Sequence, residues 1–240
     1  DIDFVRDTIY NDMDNMIDST LARAEKMKID AVTTGQIVLA ENGVVMTVDY
    51  KVPANHKQVL SGDSKWSNYE KATPIQDLQR WRDKLLDDVG IAPARIWTSS
   101  KVVAHLLYNK EIRQLTYGDA GGSRAISLSH LNEILRTMDL PQISTYDVRV
   151  RAQKEDGSYE TMRFWPENKL VLMPEGKLGD TLVGPTEESM LDVEVDAKEM
   201  AGVYAAVYQE MEPPMLWTKA ALSSIPTFPM ADSVFQATVI

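Results

Sequence analysis

Acidic side chains are the groups in this sequence whose spacing could support chemistry. Asp192, Glu194 and Asp196 alternate with apolar residues across 191–197, a pattern that predicts a half-buried strand. Such a strand would place the three carboxylates on one face at intervals of roughly 7 Å. They could hold a divalent cation or present negative charge to a basic partner. A solvated strand face explains the same pattern and is the favoured interpretation.

The three histidines form no metal-binding or catalytic motif. His105 lies beside Leu106 on a predicted helix and is interpreted as a structural side chain. His130 and Glu133 are three residues apart on another predicted helix, but two ligands do not make a metal site. His56 falls in a polar connection, where we expect it to be solvated. Since nucleophile elbows and phosphate-binding glycine motifs are also missing from the sequence, we predict no catalytic residue, no metal and no cofactor.

The composition excludes several functional classes. The chain has 240 residues, with 36 acidic and 25 basic side chains and a formal net charge of -11. That charge argues against binding a nucleic-acid backbone, which requires clustered Lys and Arg. The absence of cysteine excludes a disulfide scaffold and thiol chemistry. No apolar run approaches the roughly 20 residues of a membrane-spanning helix.

The elements that must carry these residues begin with one long helix. Apolar side chains recur at steps of three and four over residues 2–29, which predicts a single amphipathic helix ending near Thr33-Thr34-Gly35. Asn42-Gly43 then predicts a hairpin between runs 36–39 and 44–50. In its second run we expect the face of Val44, Met46 and Val48 to be buried.

The rest of the chain alternates between helices and strands. Residues 51–73 are polar and are expected to form an irregular connection. Thr73-Pro74 predicts a helix start with Thr73 as the cap, and Gly90 predicts its end. Strands are expected at 94–98, 143–150, 159–165, 170–173, 191–197, 202–210 and 235–240, and an apolar segment at 215–225. Helices are expected after Ser99 or Ser100 and after Ser127. The pattern indicates an α+β protein.

Five tryptophans are candidates for packing. Trp81, Trp97, Trp165 and Trp217 are expected in the core. Trp66 lies among polar residues, so it either fixes the connection or packs against a partner.

A series of short motifs follows one order along the chain. Leu60–Ser67 precedes Ala72–Leu78, which contains Thr73-Pro74-Ile75 and Asp77. Further motifs are Pro93–Ser99, Leu107–Arg113, Phe164–Pro174, Leu178-Gly179, Gly184-Pro185-Thr186, Leu216–Ala220 and Ile225-Pro226. Together they resemble the major capsid protein family of lambda-like tailed phages, also called the major capsid protein E family. Each motif is weak alone, but the ordered set covers nearly the whole chain.

The resemblance implies the tailed-phage capsid fold of the Hong Kong ninety-seven type, with a long spine helix, a peripheral β-rich domain and a central α+β domain. We expect residues 1–72 and 187–221, including the spine helix 2–29, to form the peripheral domain. Residues 73–186 and 222–240 would form the central, axial domain. The N-terminal arm and extended loop that precede the spine helix in the family are expected to be missing here.

The resemblance also implies a structural protein and not an enzyme. Copies of the chain would assemble in the host bacterial cytoplasm into hexamers and pentamers of an icosahedral phage or prophage head that encloses DNA. The virion would be its final location. Its partners would be other copies of itself, together with scaffold, decoration or head-completion proteins. Neither specific nucleic-acid binding nor a membrane is expected.

Two groups of residues are candidates for assembly contacts. Gly118, Asp119, Gly121 and Gly122 would lie around the capsomer axis, and Trp66, Asp192, Glu194 and Asp196 between capsomers. Three alternatives stay open: a bacterial nanocompartment shell protein of the same fold, a metal-dependent hydrolase using the acidic strand face, and a small-molecule binding module with one deep apolar pocket.

Overall fold

The computed structural model describes residues 2–41, 44–118, 124–153, 158–190, 196–212 and 214–240. In these ranges the helices are α1 (Ile2–Thr34), α2 (Pro74–Val89), α3 (Ser100–Tyr108), α4 (Lys110–Tyr117) and α5 (Leu128–Thr137). The strands are β1 (Gln36–Glu41), β2 (Val44–Asp49), β3 (Lys57–Val59), β4 (Arg95–Thr98), β5 (Gln142–Thr145), β6 (Arg149–Gln153), β7 (Tyr159–Arg163), β8 (Lys169–Met173), β9 (Thr181–Gly184), β10 (Asp196–Met200), β11 (Val203–Met211), β12 (Pro214–Ala221), β13 (Ser223–Pro226) and β14 (Phe235–Thr238). The protein therefore has the mixed α+β content that the sequence predicts.

The chain forms two compact units. The smaller unit contains residues Asp1–Lys28 and Gly179–Thr227, and the larger contains Ile29–Leu178 and Phe228–Ile240. These bounds differ from the expected domains, because residues 179–186 and 222–227 belong to the smaller unit and residues 29–72 to the larger. There β3 pairs in parallel with β14, which ties the connection after the hairpin to the last strand of the chain.

Helix α1 extends one turn beyond the predicted 2–29. It ends where Gly35 adopts a φ of 77° and donates its N–H to the Ala31 carbonyl at 2.9 Å. A Cβ at this position would lie 2.8 Å from Val52 Cγ2, so a larger residue would clash as well as strain the backbone. The predicted helix end at Thr33-Thr34-Gly35 is confirmed.

The smaller unit is built on an antiparallel sheet with the strand order β10-β11-β12. Its core joins Met13 and Ile17 of α1 to Val203 and Ala205 of β11. Strands β9 and β13 pair separately as a second antiparallel ribbon. The predicted strand 191–197 coincides with described structure only where β10 begins.

The larger unit is built on a five-stranded mixed sheet with the order β3-β14-β8-β4-β5. The central strand β8 has Leu170, Val171 and Leu172 fully buried, so the sheet is covered on both faces. One core cluster joins this sheet to side chains of α2, α3, α4 and α5, among them Trp81, Leu106, Ile112 and Leu131. Two ribbons, β1–β2 and β6–β7, pair only with themselves.

Local capping fixes the helix starts in the larger unit. Ser99, Asn109 and Ser127 accept backbone N–H groups at the starts of α3, α4 and α5. Thr73, the predicted cap of α2, makes no such bond. Instead, Glu111 Oε2 accepts the N–H of Ile75 at 2.9 Å, so a carboxylate from α4 stabilises the start of α2.

The C-terminal end of α1 is held by side chains of the larger unit. Gln236 Nε2 donates to the Val32 carbonyl at 2.7 Å, Lys169 Nζ to Thr33 at 2.8 Å, and Lys57 Nζ to Thr34 at 3.3 Å. The last carbonyls of a helix have no N–H partner within the helix, so these three side chains satisfy them. The positive charges of Lys169 and Lys57 also interact favourably with the helix dipole. Burial lowers the pKa of Lys169, and the Lys57 charge lowers it further.

Candidate interaction surface

The described residues offer neither a metal site nor a membrane span. Within these ranges no group of three or more His, Asp or Glu side chains could hold a metal ion. Nor does any helix in the described part of the chain combine the length and apolar character needed to cross a bilayer.

Two open grooves lie along α2 in the larger unit. One has a volume of about 520 Å³ and is lined by Asn55, Gln58, Arg80, Trp81, Asp83, Lys84, Asp87 and Phe235. The other has a volume of about 490 Å³ and is lined by Pro53, Asn55, His56, Asp88, Val89 and Asp232. Both have charged rims, so neither is the deep apolar pocket that a small-molecule binding module requires.

The histidine at the second groove corrects one expectation. His56 is 1% exposed and is not solvated. Its Nε2 lies 3.0 Å from Asp88 Oδ2, and its ring packs 6.2 Å from that of Phe235. Because Phe235 comes from the last strand of the chain, the neighbouring sequence gave no sign of this burial.

Trp66 is also corrected. It is 0% exposed, stacks on Trp81 with 5.9 Å between ring centroids, and donates its Nε1–H to Asp77 Oδ2 at 3.0 Å. Its backbone N–H bonds to the Val239 carbonyl. A side chain enclosed in this way cannot touch another subunit, so the prediction of Trp66 as a contact residue between capsomers is wrong.

Many of the exposed apolar side chains in the described part of the chain lie on β-strands. The hairpin of β11 and β12 shows this at its distal end, where Met211 is 83% exposed and Leu216 and Trp217 are 53% and 55% exposed. The strand register places Met211 and Leu216 on one face and Met215 and Trp217 on the other. Both faces of this end are therefore apolar and open to solvent.

Trp217 departs from the core position predicted for it. Its Nε1–H donates to Glu210 Oε2 at 3.0 Å across the hairpin, which fixes the ring against the strand while more than half of it stays exposed. Near the other end of the same hairpin, Val203 and Ala205 are fully buried against α1. The hairpin is thus packed at one end and uncovered at the other.

The ribbon of β1 and β2 repeats the arrangement in the larger unit. The antiparallel pairing confirms the predicted hairpin, and Ile37 at its base is buried. Val45 is 83% exposed, and Val38, on the same face, is also exposed. Met46 is exposed and Val48 half-buried, so the face expected to be buried is only partly covered within this chain.

The ribbon of β6 and β7 exposes Tyr159 and Met162, and Val148 directly before β6 is also exposed. Single exposed apolar residues are ordinary, but contiguous ones indicate an interaction surface. Two-stranded ribbons are also marginally stable in water without a packing partner. Each of these three elements is therefore a separate candidate surface for protein–protein contact.

The remaining predicted contact residues are described only in part. Gly118 ends α4 with a φ of 68° and is exposed. Asp119, Gly121 and Gly122 lie outside the described residues, as do Asp192 and Glu194. Asp196 begins β10, where its backbone faces Val207. The structure therefore leaves the roles of both groups as predictions.

The exposed apolar side chains of the ribbons and the hairpin end were not predicted as contact residues, although the sequence contains a pattern that indicates them. Val44-Val45-Met46 and Met215-Leu216-Trp217 are consecutive apolar residues within short strands. Since strand side chains alternate between faces, such runs indicate strands covered on both sides. Such a run indicates that both faces of the strand must be covered, but it does not identify the segment or partner that covers them.

Comparisons with known proteins find one matching family and several similar folds. A family model described as phage major capsid protein E matches residues 1–239. A search among curated proteins finds no match. The chain is similar to the crystal structure of a protein described as a prophage capsid protein, from E. coli CFT073, with a TM-score of 0.67 and 17% identity. That alignment covers 97% of this chain and 67% of the other.

A second solved structure, a phage-related protein of Bordetella bronchiseptica RB50, matches with a TM-score of 0.53 and 16% identity. The alignment covers 93% of this chain and 64% of that protein, so the chain spans about two thirds of the length of either structure. At these identities the likeness shows a shared fold.

Proposed function

The chain belongs to the phage major capsid protein E family, and we propose that many copies of it form the hexamers and pentamers of an icosahedral phage or prophage head enclosing DNA. The family is structural and not enzymatic, which removes the metal-dependent hydrolase as an alternative. Capsid proteins are components of the virion. Assembly of this chain in the host bacterial cytoplasm is part of the proposal.

The observation that carries the proposal is the exposure of apolar side chains on both faces of the distal end of the β11–β12 hairpin. Met211, Leu216 and Trp217 are each more than half exposed there. Burying apolar surface contributes about 25 cal/mol per Å². A neighbouring copy that covers this end would therefore gain stability that an isolated subunit lacks.

The number of contacts that each subunit makes allows a shell to be stable even when each contact is weak. In a closed assembly every subunit makes several contacts, so each contact can be modest and the whole still stable. The net charge of -11 keeps free subunits apart through mutual repulsion, and salt lessens that repulsion. An acidic inner wall would also not adhere to packaged DNA, which agrees with the absence of specific nucleic-acid binding in the proposal.

The two compact units support an assignment of the proposed subunit to two domains. The smaller unit, rich in antiparallel strands, would be the peripheral domain, and the larger unit, with its mixed sheet and four helices, the axial domain. The Gly118–Gly122 loop is proposed at the capsomer axis, and Asp192, Glu194 and Asp196 between capsomers. Scaffold, decoration or head-completion proteins would bind the assembled subunits.

The proposal is tested by following assembly of the full-length product as concentration and salt are raised. Analytical ultracentrifugation and electron microscopy should show closed particles that form more readily at higher ionic strength. A product that stays monomeric at every concentration and salt level would overturn the proposal. Particles filled with protein cargo and no DNA would favour the nanocompartment alternative.

Two matched variants locate the assembly surface. Met211→Ser combined with Leu216→Ser removes the apolar character of the hairpin end and should abolish particles. Leu86→Ser removes a single exposed leucine on α2 and serves as the control. If both proteins assemble equally well, the hairpin end is not the contact.

A further inference from the structure

The ribbon of β6 and β7 separates charge from apolar surface. Its register pairs Arg149 with Arg163, Arg151 with Thr161 and Val150 with Met162. Since strand residues alternate between faces, the three arginines share one face and Val150 and Met162 lie on the other. Tyr159 belongs to the arginine face. In a chain with a net charge of -11, this ribbon face is locally basic.

The arginines of this face differ in how they are held. Arg163 bonds to Asp147 Oδ1 and Glu167 Oε1, both at 3.1 Å, so its charge is compensated within the chain. Arg151 instead lies over the Tyr159 ring, with its guanidinium carbon 4.3 Å from the ring centroid. Both Arg149 and Arg151 are exposed.

This geometry prepares Arg151 for a partner. Stacking on Tyr159 restricts the guanidinium, so less conformational entropy is lost when it binds a carboxylate. Arg and Tyr are also the residue types that contribute most at protein interfaces. The exposed Tyr159 ring adds apolar area to the arginine face, whereas Met162 lies on the opposite face of the ribbon.

A second copy of this chain carries a complementary surface. The distal end of the β11–β12 hairpin combines exposed Met211, Leu216 and Trp217 with the carboxylates of Glu210 and Glu212. The carboxylates of this end thus complement the arginines of the ribbon face, and its apolar side chains can pack against the exposed Tyr159 ring. DNA fits the ribbon less well, because its phosphate backbone offers no apolar side chains to pack against the exposed Tyr159 ring, whereas the hairpin end does.

We propose that the arginine face of the β6–β7 ribbon of one copy binds the acidic, apolar end of the β11–β12 hairpin of a second copy. The inference rests on the proposed function, because it requires copies that associate. The contact joins two different surfaces, so it is heterologous and can continue from subunit to subunit around a ring. In this contact the exposed arginine face of the ribbon gains a binding partner, and the exposed side chains of the hairpin end become buried.

Charge reversal in the full-length product tests the contact. Arg151→Glu and Glu212→Arg should each raise the concentration needed for half-maximal assembly by roughly tenfold, as expected for a close interfacial ion pair. The double variant should return close to the parent. Arg136→Glu, which makes the same charge change at an exposed site on α5, should assemble like the parent.

Several outcomes would overturn the inference. One is an Arg151→Glu variant that assembles like the parent, and another is a double variant that assembles no better than the single variants. A third is loss of binding to short duplex DNA in Arg151→Glu with assembly unchanged, which would assign the ribbon to nucleic acid. Unchanged thermal unfolding of each variant separates these results from misfolding. Failure of the parent itself to assemble would refute the proposed function, and this contact with it.

Discussion

Strands β8 and β12 both carry consecutive apolar side chains, but those of β8 are buried and those near the end of β12 are exposed. Leu170, Val171 and Leu172 of β8 are fully buried, because β14 and β4 pair on either side and the sheet is covered above and below. Leu216 and Trp217 of β12 lie at a sheet edge and are more than half exposed. A consecutive apolar run therefore requires cover on both faces, and the described residues of the chain supply that cover for only one of the two strands.

This contrast separates stability from association. Side chains around β8 exclude water within a single subunit, so their removal should unfold it. Side chains near the end of β12 are largely exposed in the single subunit, so truncating them should change its stability little. Their truncation should instead weaken assembly. The two regions can be distinguished by measuring unfolding and assembly on the same variants.

The largest effect on folding is expected for Trp66→Ala. The substitution removes a fully buried ring from its stack with Trp81 and leaves Asp77 without an indole donor. The free energy of unfolding should fall by about 3–5 kcal/mol, as for other buried aromatic truncations. Denaturant titration measures it. A loss below about 1 kcal/mol would contradict the packing described here.

A smaller, pH-dependent effect is expected at the same core. Burial raises the pKa of Asp77, and burial together with the nearby Asp77 charge raises the pKa of Glu111. A carboxyl with a raised folded-state pKa binds its proton more tightly in the folded than in the unfolded protein. It therefore adds stability at low pH that is lost as the pH rises through its folded pKa.

Asp77→Asn tests this sign. As the pH falls from neutral towards the ordinary aspartate value of 3.8, the parent should gain stability relative to the variant. The exposed carboxylates Asp88 and Glu167, whose pKa values are lowered by hydrogen bonds from Lys84 and Lys101, have the opposite dependence and remain present in both proteins. A constant difference across this range, measured by urea unfolding, would argue against a raised pKa for Asp77.

The smallest effect on folding is expected for Trp217→Ala. Its ring is more than half exposed and makes one bond to Glu210, so the free energy of unfolding should change by less than about 1 kcal/mol. Assembly should nevertheless weaken, because the ring is part of the apolar hairpin end. A large drop in melting temperature with particles unchanged would remove the distinction between the two strands.

Local signals predicted the elements that depend on neighbouring residues. The stripe of apolar side chains and Gly35 predicted α1 and its end, and Pro74 and Gly90 predicted the bounds of α2. The Asn42-Gly43 motif predicted the pairing of β1 with β2. Each of these depends on backbone preferences that act over a few residues.

Predictions failed where a distant segment decides the environment. Trp66 and His56 stand in a polar stretch, yet Val239 and Phe235 from the end of the chain enclose them. The short strand β3 was missed for the same reason, since its three residues are held by β14. Trp217 fails in the opposite sense, because no distant segment in the described chain covers it.

The sequence by itself determined the family, the α+β class and the helix and hairpin boundaries, because ordered motifs and local backbone preferences are properties of neighbouring residues. Only the tertiary structure decided which apolar side chains are covered within the subunit and which are left for a partner. Burial depends on which distant segments return to each strand, and hydrophobic contact has no direction that the local sequence could encode.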